Sequence, residues 1–273
     1  MIYWLDTIIL IYFAGMNLAY GGLLLLSFFE ILSRNAARMP EYDVKLLSDE
    51  SAPPISIIVP AYNEEAGVVD SVKSLLRLVY PHLTVIVIND GSTDDTFPLL
   101  QEEYDLHEFH YVYRTDIETE DIRGIYQSRQ DPRLLVVDKE NGGKSDALNA
   151  GINIARTPLV CSIDSDTIIE RHAFLRMVEP FIFSTPPVIA SGGSIRLANG
   201  ATFEEGAIKE MEIPKSWLAK FQTVEYLRSF LFGRVGYNRL GGNMIISGAF
   251  GLFRRDALQE IGGYRADTVG EDM

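Results

Sequence analysis

Cysteine and basic residues are scarce in this chain of 273 residues. The single cysteine, Cys161, excludes a disulfide framework, and its position inside the apolar run LVCSI favours inert packing. Lys and Arg number 24 against 38 Asp and Glu, which leaves a net charge of −14. Because Lys and Arg hold most phosphate backbones, this balance argues against nucleic acid as a partner. An anionic nucleotide would then require a local cation.

Two common nucleotide-binding motifs are missing. A dinucleotide-binding Rossmann fold requires G-x-G-x-x-G after its first strand, where this sequence reads PAYNEE over 60–65. Gly143, Lys144 and Ser145 resemble the end of a P-loop, but the leading glycine of that motif would fall at Asp138. Neither NAD chemistry nor P-loop ATP hydrolysis is supported.

A long uncharged run lies near the N-terminus. Residues 8–29 carry no charge, and as a helix they would be about 33 Å long, enough for a bilayer core of roughly 30 Å. We therefore predict a transmembrane helix over 1–33 and a juxtamembrane linker over 34–53. The alternative is a secretory signal peptide, but the sequence lacks the basic leading region of such peptides. Basic residues follow the run, so the positive-inside rule predicts that the rest of the chain is cytoplasmic, at the inner membrane.

Four nearly continuous apolar runs predict interior strands of a parallel sheet that is covered on both faces. They are ISIIVP (55–60), TVIVIND (84–90), LLVVD (134–138) and LVCSID (159–164). Apolar residues at helical spacing follow the first run, and a second helix capped by Ser145 precedes the last. This alternation predicts a doubly wound α/β sheet with helices on both faces and ligands at the carboxyl ends of its strands. The polar stretch 104–133 reads as an irregular surface insertion.

The later part of the chain has a different pattern. The runs 188–197 and 244–253 predict further strands, and a short helix closed by Gly262 and Gly263 follows the second. Between them, 217–232 predicts a helix with a wide apolar face. Two interpretations of this face stay open: ordinary core packing, or a position in the membrane interface.

Polar residues follow the predicted strands at the edge where a doubly wound sheet binds ligands. Asp90 comes after the second strand and is suited to accept hydrogen bonds from a base or ribose, although NDGS is also a common turn sequence. Lys144 precedes a helix whose first amides attract anions, so a diphosphate could bind there.

A D-x-D motif, Asp164 and Asp166, follows the fourth strand. In an extended chain, residues two apart point to the same side, so both carboxylates can face one point. Such a pair is expected to hold a cation or a proton, and hard carboxylate oxygens suit Mg²⁺ or Mn²⁺. The structural alternative is that Asp164 ends the strand while Asp166 caps a helix beginning near Ile168. The excess of negative charge favours the metal.

Taken together, the segments VPAYNEE, INDGSTDD, NGGKSDALNAG, IDSD, ISGAFGLFRRD and GED resemble membrane-bound family 2 glycosyltransferases, the group of the hyaluronan, chitin, cellulose and poly-N-acetylglucosamine synthases. The resemblance covers Pro54 to Asp272 and implies a GT-A, or nucleotide-diphospho-sugar transferase, fold over 54–273. It implies inverting transfer from a UDP-sugar, with UDP-N-acetylglucosamine preferred over UDP-glucose, to a growing β-linked glycan. The alternatives are transfer of one sugar to a lipid or short acceptor, and a glycosyltransferase-like scaffold without turnover.

The same resemblance implies a role for each motif residue. Around the donor, it assigns the uridine pocket to Ala61, Tyr62 and Glu64, the uracil to Asp90, the diphosphate to Lys144 and the donor sugar or ribose to Asp164. Asp166 would be the chief ligand of Mg²⁺ or Mn²⁺. The acceptor sugar would be positioned by Ser247, Gly248 and Ala249. Asp272 matches the catalytic base, whereas TVGEDM by itself favours a solvated turn.

The sequence departs from the processive members in one respect. Those members carry Q-x-x-R-W and further membrane helices after the GED segment. Neither of the two tryptophans, Trp4 and Trp217, stands in such a motif. The chain is therefore expected to be a fragment that lacks this region.

Overall fold

The computed structural model describes residues 2–37, 52–165, 167–193, 200–204, 207–228, 235–236, 246 and 250–265. Five of the predicted site residues lie outside these ranges: Asp166, Ser247, Gly248, Ala249 and Asp272. The chain divides into two compact units, of which one contains the N-terminal helix and the other a large sheet.

Helices and strands alternate through most of the described chain. The helices are α1 Ile2–Ala37, α2 Val68–Leu76, α3 Thr96–Tyr104, α4 Lys144–Ile154, α5 Ala173–Phe183, α6 Trp217–Leu227 and α7 Arg255–Glu260. The strands are β1 Ile55–Ala61, β2 Leu83–Asp90, β3 Leu106–Glu108, β4 Ile122–Ser128, β5 Leu134–Lys139, β6 Leu159–Ile163, β7 Ala190–Gly192, β8 Ala201–Glu204, β9 Ala207–Met211 and β10 Phe250–Arg254.

The first unit contains α1 and α6. In α1, the stretch Tyr3–Ser33 is long and apolar enough to cross a membrane by length and composition. The predicted N-terminal apolar helix is therefore present and extends beyond 8–29 at both ends. In α6, residues Trp217, Leu218 and Phe221 are 74%, 70% and 68% exposed, so this face is not covered within the part of the chain that the structure describes.

The second unit is built on a mixed sheet of eight strands in the order β3-β4-β5-β2-β1-β6-β10-β7. Its four central strands, β5, β2, β1 and β6, are parallel and correspond to the four predicted interior strands. The outer strands pair antiparallel on both sides. Strands β8 and β9 form a separate two-stranded sheet. The predicted α/β fold class is confirmed, with parallel pairing confined to the centre of the sheet.

Alternate residues of the central strands pack on opposite faces. On one face, Ile57 and Val87 join the core formed with α2, α3 and α5. On the other face, Ile58, Ile86 and Val137 pack with α4 and α7. Because both faces are covered, each central strand is apolar along nearly its whole length.

The interpretation of 104–133 as an irregular insertion is wrong. This stretch supplies β3 and β4, which extend the sheet by antiparallel pairing, and it buries Ile117 and Ile125. Strand β4 mixes polar and apolar residues because part of the strand remains accessible to solvent. A partly exposed strand of this kind lacks the continuous apolar run that identified the central strands.

The helix expected near Ile168 begins later, at Ala173. The amide of Thr167 donates to the carbonyl of Asp164 over 3.0 Å, so the chain turns at this point before the helix starts. Of the two later strands, the described parts are the short β7 and β10. The closing glycines of α7 are confirmed, since Gly262 and Gly263 have φ of 83° and 80°, a conformation that favours glycine.

Helix α4 approaches β1 closely at one glycine. A Cβ atom at Gly151 would lie 2.3 Å from Ile58 Cγ2. We therefore expect Gly151→Val to reduce the free energy of unfolding by about 1–3 kcal/mol, because the added atoms push α4 away from the sheet. Unfolding can be followed in denaturant by alkylation of Cys161, which is fully buried and whose thiol pKa is raised by desolvation.

Gly67 provides the matched control. It is the N-cap of α2, and a Cβ there would have no atom within 4 Å. We expect Gly67→Val to change the stability by less than about 1 kcal/mol. Equal losses in both variants would contradict the close approach of α4 to β1.

Candidate functional site

The carboxyl ends of the four central strands meet at one edge of the sheet because these strands are parallel. Ala61 ends β1 and is buried, whereas the next residue, Tyr62, is 51% exposed. Asp90 ends β2, and Asp164 directly follows β6. The structure thus brings the predicted donor-site residues to the same sheet edge.

The loops after β1 and β2 are joined by hydrogen bonds. Asn63 Oδ1 accepts from the amide of Thr93 over 2.8 Å, and the amide of Asn63 donates to Ser92 Oγ over 3.0 Å. The amide of Glu64 donates to Thr96 Oγ1 over 2.8 Å. Glu64 is therefore held through its backbone, which leaves its carboxylate out of this pairing.

Asp94 belongs to the same pair of loops. Desolvation raises the pKa of its carboxyl, but hydrogen bonds from the hydroxyl and amide of Thr96 and the amide of Glu65 bring the pKa below its usual value. An ionised Asp94 thus stabilises the start of α3 and the loop after β1 together.

A buried ion pair joins the ends of β2 and β5. Lys139 Nζ lies 2.7 Å from Asp90 Oδ1 and 2.5 Å from Asp146 Oδ1, and the exposed fraction of the Lys139 side chain is 0%. The amides of Gly142 and Gly143 donate to Asp90 Oδ1 and Oδ2 over 3.0 and 2.8 Å. Asp90 therefore holds both a lysine and the loop that precedes α4. Its contact with uracil stays a prediction, and its carboxylate already accepts three hydrogen bonds within the protein.

The role of Lys139 was missed by sequence reasoning. It ends the apolar run LLVVDK, where a charged residue normally marks the end of a strand. The available signal was its position two residues before the segment NGGK. Its partners lie far away in sequence or on the next helix, so the local pattern does not reveal them.

An exposed ion pair stands beside this loop. Arg123 Nε and Nη2 donate to Glu140 Oε1 and Oε2 over 2.9 and 2.8 Å. These hydrogen bonds hold the pKa of Glu140 below and the pKa of Arg123 above their usual values. The pair is exposed, so it contributes little to stability.

Helix α4 begins at Lys144, with Gly143 as its N-cap. The expectation that Ser145 caps the helix is wrong, because no side chain caps it and Ser145 Oγ instead donates to the carbonyl of Arg265 over 3.3 Å. Gly143 has φ of 87°, a conformation that favours glycine, and this lets the helix begin one residue earlier. The positive end of the helix dipole therefore lies at Lys144.

Lys144 and Asp164 contact each other directly. Lys144 Nζ lies 2.9 Å from Asp164 Oδ1, and each side chain is a little more than one third exposed. Lys144 is predicted to bind the diphosphate and Asp164 the donor sugar. The structure places them together, between the start of α4 and the end of β6. The contact also leaves both groups accessible to a ligand.

A divalent metal fits the chemistry of this edge. The described residues contain no group of three or more His, Cys, Asp or Glu side chains that could hold a metal ion. Mg²⁺ and Mn²⁺, however, commonly bind through one or two carboxylates together with substrate phosphates. Asp164 offers one hard carboxylate at the sheet edge, and the predicted ligand Asp166 lies outside the described residues.

A separate pocket lies at the opposite edge, near the amino ends of the parallel strands. Ser56, Thr84 and Thr157 line it together with Tyr111, whose ring is covered by Arg156 at 4.1 Å. None of the described residues that line it is a carboxylate. It therefore does not provide the ligands of a divalent metal, and the carboxyl edge remains the candidate active site.

A parallel sheet centre, helices on both faces and polar loops at the carboxyl edge define a doubly wound α/β fold, a class in which ligands bind at the carboxyl ends of the strands. The sequence profile of Glycosyl transferase family 2 matches residues 56–262, so the chain belongs to this family. The predicted family and the predicted glycosyltransferase class of enzyme are thereby confirmed.

Two relatives are poly-beta-1,6-N-acetyl-D-glucosamine synthases. The chain is 31% identical to that of Staphylococcus epidermidis over 219 residues, covering 80% of this chain and 44% of the relative. It is 29% identical to that of Staphylococcus aureus strain COL over 220 residues, with the same coverage. The chain thus spans less than half the length of these relatives.

A solved structure shares the fold. The mannosyltransferase of Pyrobaculum calidifontis, in complex with GDP-Man and Mn²⁺, superposes with a TM-score of 0.55 at 19% identity, covering 92% of this chain and 61% of that one. At this identity the likeness concerns the fold. It confirms the expected GT-A architecture.

We expect Lys139→Met to reduce the free energy of unfolding by about 3–5 kcal/mol, because it leaves the buried carboxylate of Asp90 and the partly buried carboxylate of Asp146 without their cation. Denaturant unfolding measures the loss. The matched control is Lys73→Met, which removes an exposed pair with Glu103 at 2.7 Å and should cost less than about 1 kcal/mol. Equal costs for the two variants would contradict the structural role of Lys139.

Proposed function

We propose that the chain contains the catalytic domain of a membrane polysaccharide synthase. It transfers a sugar from a UDP-sugar to a growing β-linked glycan, with inversion and with the help of a divalent metal. The observation that carries this proposal is the contact of Lys144 with Asp164 at the carboxyl edge of a family 2 chain. This contact brings together the ammonium group of Lys144, the start of α4 and the D-x-D segment.

The residues of this edge suit a nucleoside diphosphate. The exposed ring of Tyr62 follows buried Ala61, and the two offer an apolar surface beside Glu64 for a uridine. Asp90 is buried at the same edge, and its carboxylate accepts hydrogen bonds from the amides of Gly142 and Gly143, which precede α4. The diphosphate would lie at the start of α4, where the helix dipole favours anions.

Lys144 would exchange partners when the donor binds. Without a donor its ammonium group neutralises Asp164. A diphosphate brings several negative charges, so the ammonium would turn toward the phosphate oxygens. Asp164 would then be released to accept hydrogen bonds from the donor sugar or ribose.

The proposed reaction is a single displacement. Asp272 takes the proton of the acceptor hydroxyl, whose oxygen attacks the anomeric carbon of an α-linked donor. The bond from that carbon to the UDP oxygen breaks, and a β-glycosidic bond forms. Ser247, Gly248 and Ala249 would position the acceptor sugar. A bound Mg²⁺ or Mn²⁺, held chiefly by Asp166, would stabilise the negative charge of the departing diphosphate as a Lewis acid.

UDP-N-acetylglucosamine is the proposed donor, ahead of UDP-glucose. The Staphylococcus relatives are named as synthases of poly-beta-1,6-N-acetyl-D-glucosamine, and identity to one of them reaches 31% over most of this chain. A glycan chain of the same kind is the proposed acceptor. Transfer of one sugar to a lipid or short acceptor, and a scaffold without turnover, are the other outcomes of the assays below.

The proposed location is the inner membrane, with the catalytic domain in the cytoplasm. The apolar helix α1 supports insertion into the bilayer. The exposed aromatic residues Trp217 and Phe221 of α6 suit contact with membrane lipid. Basic residues after the span favour the cytoplasmic orientation.

We expect UDP to bind at least about tenfold more tightly with Mn²⁺ than without it, since the metal links the diphosphate to the acidic edge. Calorimetry on the purified protein measures both affinities. Asp166→Asn should abolish the effect of Mn²⁺.

The control variant is Asp105→Asn. Asp105 lies at the C-cap of α3 with φ of 46°, a conformation that asparagine tolerates. We expect this variant to keep the full effect of Mn²⁺. UDP binding of equal strength with and without the metal, or an unchanged Mn²⁺ effect in Asp166→Asn, would count against the proposed metal site.

A further inference from the structure

Two buried asparagines of α4 each hold the backbone of one distant residue. Asn149 Oδ1 accepts from the amide of Tyr264 over 2.7 Å, and Asn149 Nδ2 donates to the carbonyl of Tyr264 over 2.9 Å. One turn later, Asn153 Oδ1 accepts from the amide of Ile117 over 3.1 Å, and its Nδ2 donates to the carbonyl of Ile117 over 2.8 Å. We call each such pair of hydrogen bonds a clamp. The two clamps have the same chemistry but hold different segments.

The clamp at Asn149 is reinforced on both sides. Ser145 Oγ donates to the carbonyl of Arg265, and the hydroxyl of Tyr264 donates to Ser162 Oγ on β6 over 3.1 Å. Gly263 has φ of 80°, and a Cβ there would lie 2.3 Å from Asn149 Oδ1. Residues 263–265 are thus tied to α4 and to β6, and the approach of this backbone requires a glycine.

The two elements that hold this segment also carry the donor site. Helix α4 begins with Lys144, and β6 is followed directly by Asp164. Seven residues after Arg265 the chain reaches Asp272, to which the proposed function assigns the base. The clamp therefore lies where the donor-binding elements meet the segment that leads to the base.

We propose that Asn149 is a positioning residue: it fixes residues 263–265, which precede the proposed base in the chain, relative to the donor site. This inference rests on the proposed function. A primary amide offers one acceptor and one donor group, and Asn149 uses both on Tyr264. Loss of the clamp leaves the amide and carbonyl of Tyr264 without these partners and frees residues 263–265. Lys144 and Asp164 keep their own contact, so the donor still binds.

The test compares Asn149→Ala with Asn153→Ala in the full-length protein in membranes. Both variants remove a buried bidentate amide from the same helix, so similar losses of thermal stability are expected. For Asn149→Ala we expect kcat to fall about 100-fold, because misplacement of a reacting group slows the chemical step. Its KM for the UDP-sugar should stay within about threefold. For Asn153→Ala, both constants should stay within about threefold.

A second variant, Asn149→Asp, keeps an acceptor for the amide of Tyr264 but places a carboxylate oxygen against its carbonyl. We expect kcat to fall about tenfold with KM unchanged. If Asn149→Ala does not accumulate, this variant decides the question, and an unchanged kcat overturns the inference.

Other outcomes separate the inference from the function on which it rests. Equal losses of kcat in the two alanine variants, or loss of UDP binding in Asn149→Ala, would overturn the positioning role alone. A wild-type protein that turns over no UDP-sugar overturns the proposed function and the inference with it.

Discussion

The buried ammonium group of Lys139 is the constraint on which the candidate site depends. Removing a charge from water costs several kcal/mol, so Lys139 must keep its contacts with Asp90 and Asp146. These residues belong to β5, β2 and α4, so the ion pair fixes the positions of two strands and one helix at the carboxyl edge. Asp90 also holds the amides of Gly142 and Gly143, which set the point where α4 begins.

Helix α4 carries this constraint to the rest of the site. Lys144 at its start contacts Asp164, and Asn149 in its second turn holds Tyr264, on the chain that leads to the predicted base. Gly151 brings the helix against β1, where a side chain would not fit. Polar residues are buried along this helix because each of them holds the backbone or a charge of another segment, as Asn149 holds Tyr264 and Asn153 holds Ile117. A helix that only packs against the core would have apolar residues at such positions.

Local sequence pattern was sufficient for the centre of the fold and insufficient for its connections. The parallel strands were predictable because coverage on both faces makes them apolar throughout. Strands β3 and β4 were not predictable, since strands that are partly exposed lack such a run. Lys139 pairs with Asp90 across 49 residues, and Asn149 with Tyr264 across 115, so no short motif contains both partners. The proposed metal ligand, acceptor residues and base rest on the motifs of the family.

Sugar transfer itself tests the central claim most directly. Membranes containing the full-length protein are incubated with Mn²⁺ and UDP-N-acetylglucosamine labelled in the sugar, and the release of UDP and the size and linkage of the labelled product are measured. We expect stoichiometric release of UDP and a β-linked polymer. A single-sugar adduct would limit the protein to non-processive transfer. No UDP release with any UDP-sugar donor would contradict the account of this chain as the catalytic part of a polysaccharide synthase.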